Sequence, residues 1–127
     1  NDPEITPLYN QNMNYKMKLN ANAFHRVKEG EQKWETRLFD EKRKKIKVGD
    51  TITFAKLPNK VEICTAKVAK ILTAKNFSEL FTKFDPTEAT WPRDYSAEDC
   101  AKGMEKYYSL EKQEKFGVVA FAIVPQT

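Results

Sequence analysis

Residues 30–54 read GEQKWETRLFDEKRKKIKVGDTITF. Within this stretch the side chains alternate with the period of a strand: Lys33, Glu35 and Arg37 fall on one face, Trp34, Thr36 and Leu38 on the other. A basic run and a Gly49-Asp50 turn follow, and DTITF (50–54) begins a second strand with Ile52 and Phe54 on one face. Three charged side chains in succession on one strand face are either solvated or line a polar pocket. The sequence leaves both readings open at this point, and the choice between them governs the functional reading.

The chain has 127 residues, enough for one domain with a proper core and too few for two ordinary ones. Residues 1–14, polar and carrying Pro3 and Pro7, are expected to form an N-terminal arm, and 15–127 a single domain. No window is apolar enough to span a bilayer, and no apolar signal segment is present, so the expectation is a cytoplasmic protein with no membrane partner. Cys64 and Cys100 are far apart and far from the one histidine, His25. A structural zinc site needs about four ligands, so neither a metal nor a cofactor is expected, and the cysteines read as buried thiols. His25, beside Phe24, reads as a surface or capping residue.

The net charge of +4 is unevenly placed. Residues 41–75 hold ten Lys/Arg and three Asp/Glu, a balance of +7; residues 1–40 sum to zero and 76–127 to −3. Such a segment either attracts phosphate backbones or is a solvated loop with lysine-guarded strand edges.

Outward from the opening stretch, YKMKL (15–19) reads as a strand. NANAFHRVKEG, with Phe24 and Val27 three apart and Gly30 as stop signal, reads as a short helix. VEICTAKVAKIL (61–72) is a long strand whose apolar phase shifts near Lys67, which predicts a bulge or bend. Phe77, Leu80, Phe81 and Phe84 follow helical spacing behind an Asn76 cap. A second helix starts at Ser96, with Asp99 completing a capping box and Ala97, Cys100, Ala101, Met104, Tyr107 and Tyr108 as its stripe. FGVVAFAIV (116–124) is apolar on both faces and is expected to be a central, fully covered strand. About five strands and two to three helices in non-alternating order predict an α+β fold, a small, partly open mixed β-barrel with flanking helices.

No glycine-rich phosphate loop and no nucleophile elbow is present. The chemistry therefore rests on the early strand. Alternate strand residues are about 7 Å apart, close enough to share one ligand. Arginine donates a fork of hydrogen bonds to a phosphate or base edge, and glutamate accepts from exocyclic amines.

The string from Gly30 to Phe54 resembles the signature of the ASCH domain family, a branch of the PUA-like superfamily. Gly30, Glu35, Arg37, Asp40, Lys42, Arg43, Gly49 and Asp50 fall in the places the family pattern requires. The likeness extends over roughly residues 15–124. It implies a PUA-like β-barrel with a cleft between barrel and helices, an association with RNA, and in some members catalysis. Certain small members are similar to acetylcytidine amidohydrolases, which use a Lys, a Thr and a Glu, and others are linked to ribonuclease activity. Here Gln32 occupies the lysine position, Lys33 lies one place off, and Glu35 stands at the threonine position. Arg93 falls where the later glutamate belongs, with Asp94 and Glu98 nearby.

The expected function is an RNA- or nucleotide-binding module. Its candidate ligand-binding residues are Gln32, Lys33, Glu35, Arg37, Asp40, Lys42 and Arg43, with Trp91, Tyr95, Tyr107 or Tyr108 as a stacking surface. The alternative is a hydrolase acting on a modified nucleoside or on RNA, with Glu35 as acid/base and Lys33 as anchor. A third reading is a barrel that mediates protein contacts. An open groove continuing onto residues 42–47 favours RNA; a closed nucleoside-sized cavity favours the enzyme.

Overall fold

The computed structural model describes residues 11–126. The expected arm lies mostly outside the described residues. Five strands form one sheet: β1 (Asn14–Leu19), β2 (Trp34–Leu38), β3 (Thr51–Lys56), β4 (Ile63–Ala74) and β5 (Val118–Pro125), in the order β1-β3-β4-β5-β2. β1 runs parallel to β3, and the other three pairings are antiparallel. The sheet curls into a half-barrel whose two edges, β1 and β2, face each other across an open seam. Arg37 of β2 reaches over that seam and donates from Nη2 to the Lys18 carbonyl of β1 at 2.9 Å.

Each wall of the half-barrel has its own core. Met17, Leu19, Phe24, Val27, Ile52, Phe54, Val68 and Phe121 pack inside the curl, with α1 (Ala21–Lys28) closing one end. Trp34, Leu38, Phe77, Leu80, Phe81, Cys100, Met104 and Val118 pack on the outer face. There α3 (Phe77–Leu80), a 3₁₀ turn (Pro86–Ala89), α4 (Ala97–Met104) and α5 (Leu110–Phe116) cover it. β5 lies between β4 and β2 with apolar side chains in both cores, which accounts for its unbroken apolar run.

Local chemistry explains the boundaries. Asn20, Asn76, Ser96 and Ser109 cap α1, α3, α4 and α5, and Ser96 and Asp99 form the reciprocal box read from the sequence. The phase shift in the long strand is a register break between Val68 and Lys70. Gly49, at φ 97°, makes the turn into β3 that a side chain would strain. Behind it Asp50 is fully buried, accepting from the Met13 and Lys47 N–H groups and from Lys47 Nζ at 2.8–2.9 Å.

Two expectations need correction. The basic run is not all loop: Asp40 accepts from the Arg43 N–H and caps a one-turn helix, α2 (Glu41–Lys44). The described residues thus hold five α-helices, not two to three. The late helix ends at Met104, short of Tyr107 and Tyr108, because Ser109 starts α5. Tyr108 still joins the outer core, its ring 5.9 Å from that of Phe77.

Candidate functional site

The alternation of the early strand sets the site. Glu35 pairs with Phe121 and Arg37 with Val119, and both partners belong to the inner core. Glu35 and Arg37 therefore point into the half-barrel beside the seam, while Trp34 and Leu38 face the outer core. Only 7% of Glu35 is exposed. Its Oε1 faces Arg37 Nε at 3.5 Å, and its Oε2 faces Gln32 Nε2 at 3.5 Å. Gln32, also buried, donates to the Trp34 carbonyl at 3.2 Å and accepts from Arg26 Nε at 3.4 Å. The result is a polar chain, Arg26–Gln32–Glu35–Arg37, that ends on the Lys18 carbonyl. Burial pushes the Glu35 carboxyl above the usual carboxylate range, and the guanidinium groups of Arg37 and Arg26 offset this only in part.

This chain forms the floor of a cleft of about 660 Å³ between the half-barrel and the helices. Its far wall comes from residues distant in sequence: Thr90 and Trp91 after the 3₁₀ turn, and Met104, Lys106, Tyr107 and Tyr108 at the end of α4. Thr90 sits in the left-handed region at φ 67°, a strained conformation for a β-branched residue. A second recess of about 600 Å³ runs along β1. Lys16, Lys18, Arg37, Lys42, Arg43, Lys45 and Lys60 line it, together with Tyr15, Met17, Ile46 and Ala55, and no lining residue carries a carboxylate. Lys18 and Arg37 border both recesses, so the cleft and the basic trough adjoin at the seam that Arg37 bridges.

The structure thus brings together Gln32, Glu35 and Arg37 in the cleft and Lys42 and Arg43 in the trough. Lys33 stands apart. It is exposed and absent from both linings; its N–H donates to the Glu88 carbonyl at 2.7 Å and its Nζ stands 3.9 Å from the Glu88 carboxylate. Asp40 lines neither recess; it caps α2 and pairs with Arg43 Nη1 at 2.7 Å, holding that guanidinium at the trough. Arg93, Asp94 and Glu98 are exposed and outside the cleft. Sequence reasoning missed Arg26, Lys18, Thr90 and Lys106. Arg26 carried a signal, since it lies one helical turn before Gly30 on the side of α1 that meets the signature strand.

The family profile of the ASCH domain matches residues 17–126. The chain belongs to the ASCH domain family. Its α+β half-barrel is the PUA-like fold, as shown by solved structures. The hypothetical protein PH0355 is 33% identical, covering 90% of this chain and 100% of that one, with a TM-score of 0.77. Protein PF0455 from Pyrococcus furiosus is 32% identical over 89% of this chain and 97% of that one, with a TM-score of 0.68. An ASCH protein from Zymomonas mobilis, solved as its S128A mutant, shares the fold at 15% identity, 88% and 70% coverage and a TM-score of 0.64. No curated protein matches the chain. Among the described residues of this ASCH domain, no cluster of His, Cys, Asp or Glu is built to hold a metal ion, and no helix is long and apolar enough to cross a membrane.

The wall of the cleft depends on one small residue. A Cβ at Gly103 of α4 would stand 2.5 Å from the Trp91 ring, so the glycine lets the indole lie against the helix. Alanine favours a helix over glycine by about 1 kcal/mol, yet Gly103→Ala is expected to destabilise this domain by roughly 1–2 kcal/mol through overpacking. Thermal melts should show the loss, and tryptophan emission should shift as Trp91 is displaced.

Proposed function

We propose that this ASCH domain binds single-stranded RNA, seating one base in the Glu35 cleft and leading the adjoining phosphates along the basic trough. The observation that carries this reading is that the two recesses adjoin, with Lys18 and Arg37 as their common border. A closed cavity would suit an isolated nucleoside; a polar cleft beside an acid-free basic trough suits a base that remains attached to its strand. Lys42 and Lys45 are exposed in the trough and available to phosphate oxygens. Trp91 and Tyr107 give the cleft aromatic faces, and stacking one base on such a ring is worth about 1–3 kcal/mol.

The test is the salt dependence of binding to a labelled octauridylate, followed by fluorescence anisotropy. With about five phosphate contacts on a single strand, log affinity should fall with log salt at a slope of roughly −3.5. The double variant Lys42→Glu, Lys45→Glu should bind at least ten times more weakly and show a slope flatter by about 1.4, the share of two contacts. A slope near zero in the wild type defeats the reading.

A second reading, hydrolysis of a modified nucleoside or RNA, is favoured by one observation: a buried carboxyl held above its ordinary range beside an accessible cleft. Lys33 is too far outside to serve as its anchor, which leaves Lys18 and Lys106 as amines on the cleft wall. Consumption of acylated cytidine or RNA by the wild type and not by Glu35→Gln is the result this reading requires.

A further inference from the structure

We infer that the cleft selects guanine, with the two oxygens of Glu35 accepting from the adjacent N1–H and N2–H₂ groups of its Watson–Crick edge. The inference rests on the single-strand RNA reading above and adds the identity of the base. The Glu35 carboxylate is fixed at both oxygens: Arg37 Nε stands 3.5 Å from Oε1, and Gln32 Nε2 3.5 Å from Oε2. Both contacts are long, and each oxygen keeps a lone pair for a further donor. Gln32 is itself held by Arg26 and the Trp34 carbonyl, so its amide stays aimed at Oε2. The cleft thus offers two acceptors side by side, flanked by the guanidinium groups of Arg37 and Arg26.

The four RNA bases differ in how they meet such a pair. Cytosine and adenine each present an exocyclic amine next to an unprotonated ring nitrogen, so the second carboxylate oxygen would face a lone pair. Uracil presents one N–H between two carbonyls. Guanine alone places two donors next to each other, and its O6 lies beside them as an acceptor for a guanidinium. A neutral Glu35 carboxyl would offer one donor and one acceptor and select cytosine or adenine instead. Arg37, the Thr36 N–H and Arg26 already draw the Glu35 carboxyl towards its ionised form against the effect of burial, and two ligand N–H groups on its oxygens would add to that pull.

The experiment uses labelled octauridylates carrying one central G, A, C, U or inosine, titrated at pH 7.5 into the wild type and Glu35→Gln. The G oligonucleotide should bind about tenfold or more tightly than the A, C and U forms, as expected of a bidentate base contact. Inosine, which lacks the N2 amine, should lose most of that advantage. Glu35→Gln should erase the preference. Salt-dependent binding without base preference, or a preference for C or A, overturns the guanine assignment and leaves the RNA reading standing. Absence of binding by all five oligonucleotides overturns the RNA reading itself. The inosine comparison needs only wild-type protein, so it remains decisive if the variant is unstable.

Discussion

Replacement of Arg37 by methionine is expected to lower the stability of this domain by about 3 kcal/mol at pH 8, the scale for breaking a buried ion pair. Arg37 spans the open seam to the Lys18 carbonyl and faces the buried Glu35 carboxyl. Methionine keeps much of the stem and removes both contacts, leaving Glu35 with the Gln32 amide and the Thr36 N–H as hydrogen-bond partners. The pH dependence has a definite sign. The folded-state pKa of Glu35 is raised, so its contribution to stability is fully present below the unfolded value and is lost as pH rises through the folded value. Without Arg37 the folded value rises further, and the loss grows. The deficit of Arg37→Met should therefore be greatest at alkaline pH and narrow as pH falls and the carboxyl takes up a proton. Paired thermal melts from about pH 8 downwards measure it, with a difference of roughly 10 °C expected at the alkaline end. A deficit that stays constant with pH would show that Arg37 acts through the seam alone.

The same residues show what the sequence discloses. The alternation at 33–37 put Glu35 and Arg37 on one face and left open whether that face is solvated; it turns inward because β2 pairs with a strand that is buried on both faces. Lys33 does not join them: its carbonyl accepts from the Ile123 N–H of β5, but its ammonium is exposed on the Glu88 side. The trough was foreshadowed by the +7 segment, but its union with the cleft was not. That union depends on Lys18 from β1 meeting Arg37 from β2, two edges brought face to face by the curl of the sheet. Thr90 and Lys106 join the cleft through the packing of α4 and the 3₁₀ turn on the outer core, which leaves no local pattern in sequence. The most recognisable motif proves largely architectural: Gly49 turns the chain, Asp50 ties three donors, and Asp40 caps α2.

The second large effect is expected at Asp50. Asp50→Ala should cost about 2–3 kcal/mol, because it removes a fully buried acceptor and strands the Met13 and Lys47 N–H groups, while the partly exposed Lys47 ammonium keeps the Gln11 carbonyl. Burial by itself would raise the Asp50 carboxyl, but the hydrogen bonds from Lys47 and Met13 outweigh it and hold the group below its ordinary value. A depressed folded-state pKa contributes stability above the unfolded value and loses it as pH falls through the folded value. Wild type and Asp50→Ala should thus differ most near neutrality and converge as pH falls through the lowered folded-state value. Asp50→Asn, which keeps the shape and one acceptor oxygen, should lose about half as much. Urea unfolding with an unchanged m-value is the measurement. Equal stability of Asp50→Ala and wild type at pH 7 would remove the buried-anchor account of the turn.

The joint use of cleft and trough is tested most directly by backbone and indole NMR shifts of labelled protein titrated with a short single-stranded RNA. The account predicts concerted shifts at Gln32, Glu35 and the Trp91 indole together with Lys18, Lys42 and Lys45, all saturating at one RNA per domain. Shifts confined to the outer helices, or to the trough with the Glu35 cleft unmoved, would contradict it.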